Sequence, residues 1–156
     1  MNRKTTIYHP NGKGTGSALK IELFPTDGEV EGNVVLSIAA QHPIDNEVTW
    51  PSFVWKDAVA VELSPIAVEK VVEVFEGYEE SINDGKGIAG LAFASLRTPS
   101  VIRLSNIVEP VSGFKMEIAR IADKECRTIT LTPTEGRMLA QALKYSMGLL
   151  LFGENK

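Results

Sequence analysis

The segments Val61-Glu62-Leu63-Ser64-Pro65 and Ile129-Thr130-Leu131-Thr132-Pro133 stand 68 residues apart and share one plan: apolar alternation, a hydroxyl residue, then proline. A serine or threonine just before a proline is the start signal of a helix. Its side-chain oxygen caps free backbone N–H groups, and proline at the first helical position gives up an N–H that has no partner there. Each copy therefore ends a strand and opens an amphipathic helix, so the chain reads as two copies of one unit. Further positions keep the same offset: Val34 with Ile102, Leu36 with Leu104, Lys56 with Lys124, Val71 with Leu139, and Phe75 with Leu143.

Around these junctions the chain is punctuated by short alternating runs. The opening strand is expected over residues 5–8. The turn-forming stretch Pro10-Asn11-Gly12-Lys13-Gly14-Thr15-Gly16 follows, read as a mobile basic hairpin loop. Residues 17–24 put Leu19, Ile21 and Leu23 on one face and Lys20 and Glu22 on the other, and residues 33–40 repeat this with Val34, Leu36 and Ile38. Residues 41–57, with Pro43 and Pro51, read as a long connection before a strand over 58–63. The first helix is expected over residues 65–81, with Val68, Val71, Val72 and Phe75 as its apolar stripe.

In the second half, strands are expected over residues 91–94, 97–105, 114–121 and 127–131. A final helix follows, whose Thr132 and Glu135 have capping-box spacing and whose Leu139, Leu143, Met147 and Leu150 recur at helical intervals. The expected fold is α+β: two ββββα repeats, residues 1–82 and 83–156, in one compact domain, with antiparallel sheets that each carry a helix on one face.

With 156 residues and 44% hydrophobic content the chain can bury a full core without staples. Cys126 is the only cysteine, which excludes an intrachain disulfide. No signal peptide or membrane span is legible, so a soluble, cytoplasmic protein is expected. The net charge of −4 is unevenly spread: residues 1–82 carry 6 basic and 13 acidic groups, and residues 83–156 carry 10 and 7. Such asymmetry matters more for a local binding surface than the total.

Catalytic signals are weak. Gly85-Lys86-Gly87-Ile88-Ala89-Gly90 has the glycine spacing of a dinucleotide loop, but the segment follows an acidic helix instead of a strand. His9, His42 and Cys126 lie too far apart to form a recognisable ligand set, and no nucleophile elbow occurs. No enzyme activity, catalytic residue, metal or cofactor is expected. Binding by an uncovered sheet face fits better. Opposite the apolar residues stand Lys20, Arg103 and Lys115, with Lys13, Lys56, Arg97, Lys124 and Arg127 near strand ends. Tyr8, Phe24, Trp50, Phe53 and Trp55 supply rings for either the core or the face, and Trp50 and Trp55, in or near the long connection, are the two for which exposure stands level with burial. Cations that neutralise phosphates and rings that stack on bases are what a single-stranded nucleic acid requires.

This organisation resembles the fold shared by the positive cofactor four coactivators and the plant Whirly proteins. The similarity covers nearly the whole chain and rests most specifically on Trp55-Lys56-Asp57-Ala58-Val59-Ala60-Val61-Glu62-Leu63-Ser64-Pro65. Gly14-Thr15-Gly16-Ser17-Ala18-Leu19-Lys20 stands where Whirly proteins carry their lysine-glycine-lysine-alanine-alanine-leucine motif, without reproducing it. The resemblance implies the one-chain version of a unit that the coactivators pair by dimerisation, and it implies single-stranded DNA, or RNA, as partner. The rival reading is an assembly module. In it the chain forms a homo-oligomer through its helices, with Gly148-Leu149-Leu150-Leu151-Phe152-Gly153 packed against another subunit.

Overall fold

A computed structural model describes residues 3–44, 50–82 and 99–154. The first sheet is antiparallel in the order β1 (Arg3–His9), β2 (Ser17–Phe24), β3 (Asn33–Ala40) and β4 (Val59–Leu63), and helix α1 (Pro65–Phe75) follows. The second sheet runs β5 (Ser100–Ile107), β6 (Gly113–Arg120) and β7 (Cys126–Leu131), followed by α2 (Pro133–Tyr145) and α3 (Met147–Phe152). The α+β class with antiparallel sheets is as expected. The strand expected over residues 91–94 and the glycine motif over 85–90 lie outside the described residues.

Strand register assembles the core. Leu19 pairs with Ile38, Ile21 with Leu36, and Leu36 with Val61, so one face of the first sheet is continuously apolar. In the second sheet Ile102 pairs with Ile118, Leu104 with Met116, and Met116 with Ile129, with the same result. These residues join Val68, Val71, Val72 and Phe75 of α1 and Leu139 and Leu143 of α2 in one buried cluster. Strands β2, β3 and β4 pack against β6 and β7, α1 packs against α2, and the Phe75 and Phe114 rings meet edge to face at 5.1 Å. Lys144 near the end of α2 reaches Glu76 at 2.8 Å, and this bond and its charge raise the Lys144 pKa.

Both helix starts follow from the sequence signals. Ser64 Oγ accepts the Ala67 N–H at 3.2 Å, and Thr132 with Glu135 forms a reciprocal capping box. Their ends depart from expectation. Helix α1 stops at Phe75, well short of residue 81. Gly77 turns left-handed with φ +85°, its N–H donates to Val74 O, and the Tyr78 N–H donates to Glu73 O, a Schellman stop. The final helix is two helices. Ser146 bonds back to Ala142 O at 2.7 Å through its hydroxyl and ends α2 before α3 begins.

The constant offset of 68 also needs correction. It holds from β4 and β7 onward, but Val34 and Leu36 lie on β3 whereas Ile102 and Leu104 lie on β5. The place of Leu36, opposite Val61, is taken in the second sheet by Met116, opposite Ile129. The cause is unequal connection length: residues 41–58 separate β3 from β4, whereas 121–125 separate β6 from β7. Among the described residues no helix is long and apolar enough to cross a membrane.

Gly136 offers a test of this packing. A Cβ there would lie 2.3 Å from the Phe114 ring, which Phe75 meets edge to face. Gly136→Ala gains about 1 kcal/mol of helix propensity but overpacks the core at a cost of about 1–3 kcal/mol. A lower midpoint in urea denaturation is expected; a raised midpoint would show that the α2–β6 contact is loose.

Candidate nucleic-acid interface

Strand pairing that sends the apolar residues inward sends a second set outward. On the first sheet this outer set is Lys4, Thr6 and Tyr8 of β1, Ala18, Lys20 and Glu22 of β2, Val35, Ser37 and Ala39 of β3, and Ala60 and Glu62 of β4. The face is not uniformly open, because the long connection returns over it. Its two limbs are bonded to each other and to β3: His42 N–H donates to Ser52 O at 2.8 Å, Val54 N–H to Ala40 O at 2.8 Å, and Gln41 bridges Phe53. The limbs therefore form an arm that extends the sheet. The short 3-10 turn Trp55–Asp57 then packs against β3, whose outward Ser37 and Ala39 are buried.

This return brings aromatic rings to the face. Phe53 lies 5.5 Å from Tyr8, ring centre to ring centre, and Lys20 Nζ sits 4.6 Å from the centre of the Trp55 ring, a cation–π contact. Tyr8 remains 58% exposed and Trp50, at the base of the returning limb, 80% exposed. Trp55 is half-buried and Lys56 beside it is exposed. The two tryptophans thus divide, Trp50 exposed and Trp55 half-buried beside Lys20.

The β1–β2 loop, expected to be mobile, is built on side-chain bonds. Asn11 Oδ1 accepts the N–H groups of Lys13 and Thr15, both at 3.0 Å. Buried Gln41 accepts the N–H groups of Asn11 and Gly16 at 3.0 and 3.1 Å and donates to Asn11 O. Lys13 is held at the exposed tip. Beneath the loop, the Nε2 of His9 lies 2.9 Å from both carboxylate oxygens of Glu135, tying the end of β1 to the start of α2.

The outer face of the second sheet is simpler. Arg103 pairs across the strands with Glu117, Nη1 to Oε1 3.0 Å, while Lys115 is exposed between Ser105 and Thr130. Arg103 and Lys115 therefore share one face, and Lys20 stands on the other sheet. Lys124 occupies the exposed β6–β7 turn at φ +60°. Arg127 is held at the junction of the two halves, its Nη1 on Glu125 and Cys126 O and its Nη2 on Asp57 O at 3.2 Å. Arg97 lies outside the described residues. Cys126 opens β7 beside Glu117, and partial burial together with that carboxylate raises its thiol pKa. Among the described residues no group of three or more metal-ligating side chains occurs.

Sequence reasoning missed Gln41 and the groove beside it. Asn11-Gly12 is a legible turn signal, but the work of Gln41 depends on partners 25 to 30 residues away.

No protein-family model matches the sequence, and no curated protein matches it. Solved structures do. WHY1 from Arabidopsis thaliana superimposes with a TM-score of 0.70 at 17% identity, over 97% of this chain and 86% of that one. The fold is Whirly-like. The plant transcriptional regulator PBF-2 follows the same path, with a TM-score of 0.63, 20% identity and coverage of 96% and 82%. A guide-RNA-binding protein complex bound to its guide RNA gives 0.61 at 16% identity, with coverage of 94% and 88%.

Proposed function

We propose that this protein binds single-stranded nucleic acid, DNA in preference and without sequence requirement, and acts through binding alone, without catalysis. The observation that carries the reading is the outer face of the first sheet, where Tyr8, Phe53 and Trp55 are gathered beside Lys20. Rings of this kind stack on any base, and cations along the path neutralise phosphate. Lys13 and Lys56 add charge beside this face, and Arg103, Lys115 and Lys124 supply a second basic surface. The Whirly-like fold, which the chain shares with a transcriptional regulator and with a protein complex holding guide RNA, supports the same reading. Read as two copies of one unit in one compact domain, residues 1–82 contribute the aromatic face and residues 83–156 the second basic surface. A soluble cytoplasmic protein serving transcription or DNA replication and repair fits this chemistry.

Duplex is disfavoured because its bases are already stacked on one another. Anisotropy titration of fluorescent oligothymidine is expected to show binding that weakens steeply with salt and resists competition by duplex. Trp55→Ala is expected to cost about 1–3 kcal/mol of binding, and combined replacement of Lys20, Arg103 and Lys115 to flatten the salt dependence. Absence of binding at low salt would remove the reading.

A second observation favours self-assembly alongside binding. On α2 and α3, Tyr145 is 95% and Phe152 84% exposed, with Met138 and Leu151 also outward, while Leu150 is fully buried. The expected subunit contact is thus split, Leu150 serving the core and its neighbours facing out. We propose a homo-oligomer formed through these helices. Leu151→Asp is expected to reduce the sedimentation coefficient while leaving oligothymidine affinity in place; an unchanged coefficient would assign the patch no role in assembly.

A further inference from the structure

Next to the aromatic face, between the β1–β2 loop and the arm, lies a groove of about 410 Å³ lined by Pro10, Gly12, His42, Pro43, Trp50 and Pro51 among others. Three prolines fix the backbone of its walls, the His42–Ser52 hydrogen bond ties the two limbs of the arm, and Gln41 anchors the loop from beneath. These bonds hold the described walls of the groove against each other. Its volume falls near the lower end of small-molecule sites, enough for one flat heterocycle with its sugar.

We infer that this groove takes a single nucleobase of the bound strand, unstacked from its neighbours and laid against the Trp50 indole. The inference rests on the single-strand reading above. Three features select this occupant. The lining is mostly apolar, with Asn11, Gln41, His42 and Ser52 as its polar members, and includes the exposed Trp50 indole, a surface on which a base stacks. The groove continues the aromatic face, because Pro10 stands two residues after Tyr8 and Gln41 bridges Phe53. Lys13, directly after Gly12 and exposed, places a cation beside the mouth for the phosphate attached to the seated base. A strand running over Tyr8 and Phe53 thus meets a socket at the loop end of the face.

The test isolates the indole. In a Trp55→Phe variant, which keeps a ring at position 55, Trp50 is the only tryptophan, and its emission is followed while anisotropy reports binding of labelled oligothymidine. Binding is expected to quench Trp50, whereas an abasic oligomer with the same phosphates leaves its emission unchanged. Trp50→Ala in the otherwise native chain is expected to weaken oligothymidine binding by about fivefold or more; the exposed side chain makes this change harmless to folding. Oligothymidine that binds with Trp50 emission unaltered and Trp50→Ala affinity unchanged would overturn the socket and leave the general reading standing. Equal quenching by the abasic oligomer would overturn it too. Failure of any oligomer to bind at low salt would overturn the general reading and the socket together.

Discussion

Strand register is the constraint on which the rest of this molecule depends. Side chains alternate along a strand, so a slip of one residue would carry every apolar side chain to the opposite face. The pairing of Leu19 with Ile38 and of Leu36 with Val61 fixes the inner face of the first sheet, and the pairing of Leu104 with Met116 and of Met116 with Ile129 fixes that of the second. The two inner faces and the apolar stripes of α1 and α2 share one core, which sets the positions of the sheets relative to each other. The outer faces are what remains, and their polar and aromatic composition is the counterpart of the same alternation. The candidate surface and the core follow from the same alternation along each strand.

The arm, described over residues 41–44 and 50–58, is the element that turns an outer face into a candidate site. A bare antiparallel face would present Lys20 among small and polar neighbours. The returning limb adds Phe53 against Tyr8 and Trp55 against Lys20. Holding the Lys20 ammonium over an indole keeps charge and ring within reach of one nucleotide. The overall acidity of the chain does not fall on this face alone: Glu69 and Glu73 lie on α1, which packs toward the inner side of the sheets, while the outer face carries Lys4, Lys20, Glu22 and buried Glu62, with Lys13 and Lys56 beside it. Phosphate responds to the local field, which screening confines to about 10 Å at 0.1 M salt.

Local signals were legible in the sequence; long-range ones were not. Residues 17–24 and 33–40 read as strands because their alternation is unbroken, and they are β2 and β3 to the residue. Ser64-Pro65 and Thr132-Pro133 announced their helices because a cap involves groups within three residues of each other. The helix expected to reach residue 81 ends at Phe75 because Gly77 turns left-handed and closes a Schellman motif, although the glutamates beyond it are good helix formers. The arm read as a plain connection because prolines interrupt any alternation and its hydrogen bonds run to β3 and between its own limbs. Likewise the sequence places Lys20, Arg103 and Lys115 together on the face opposite the apolar residues, whereas they stand on two different sheets. Only the fold separates Lys20 from Arg103 and Lys115, pairs Arg103 with Glu117, and draws Arg127 to Asp57.

The proposed path of single-stranded nucleic acid runs on the outer face of the first sheet, along the ring cluster that the arm completes. Ultraviolet crosslinking of oligothymidine to the protein, with the modified residues mapped by mass spectrometry, tests it most directly. Adducts concentrated at Tyr8, Phe53 and Trp55 are the expected result. Adducts confined to the exposed helical residues Tyr145 and Phe152, with none on the sheet, would contradict the account.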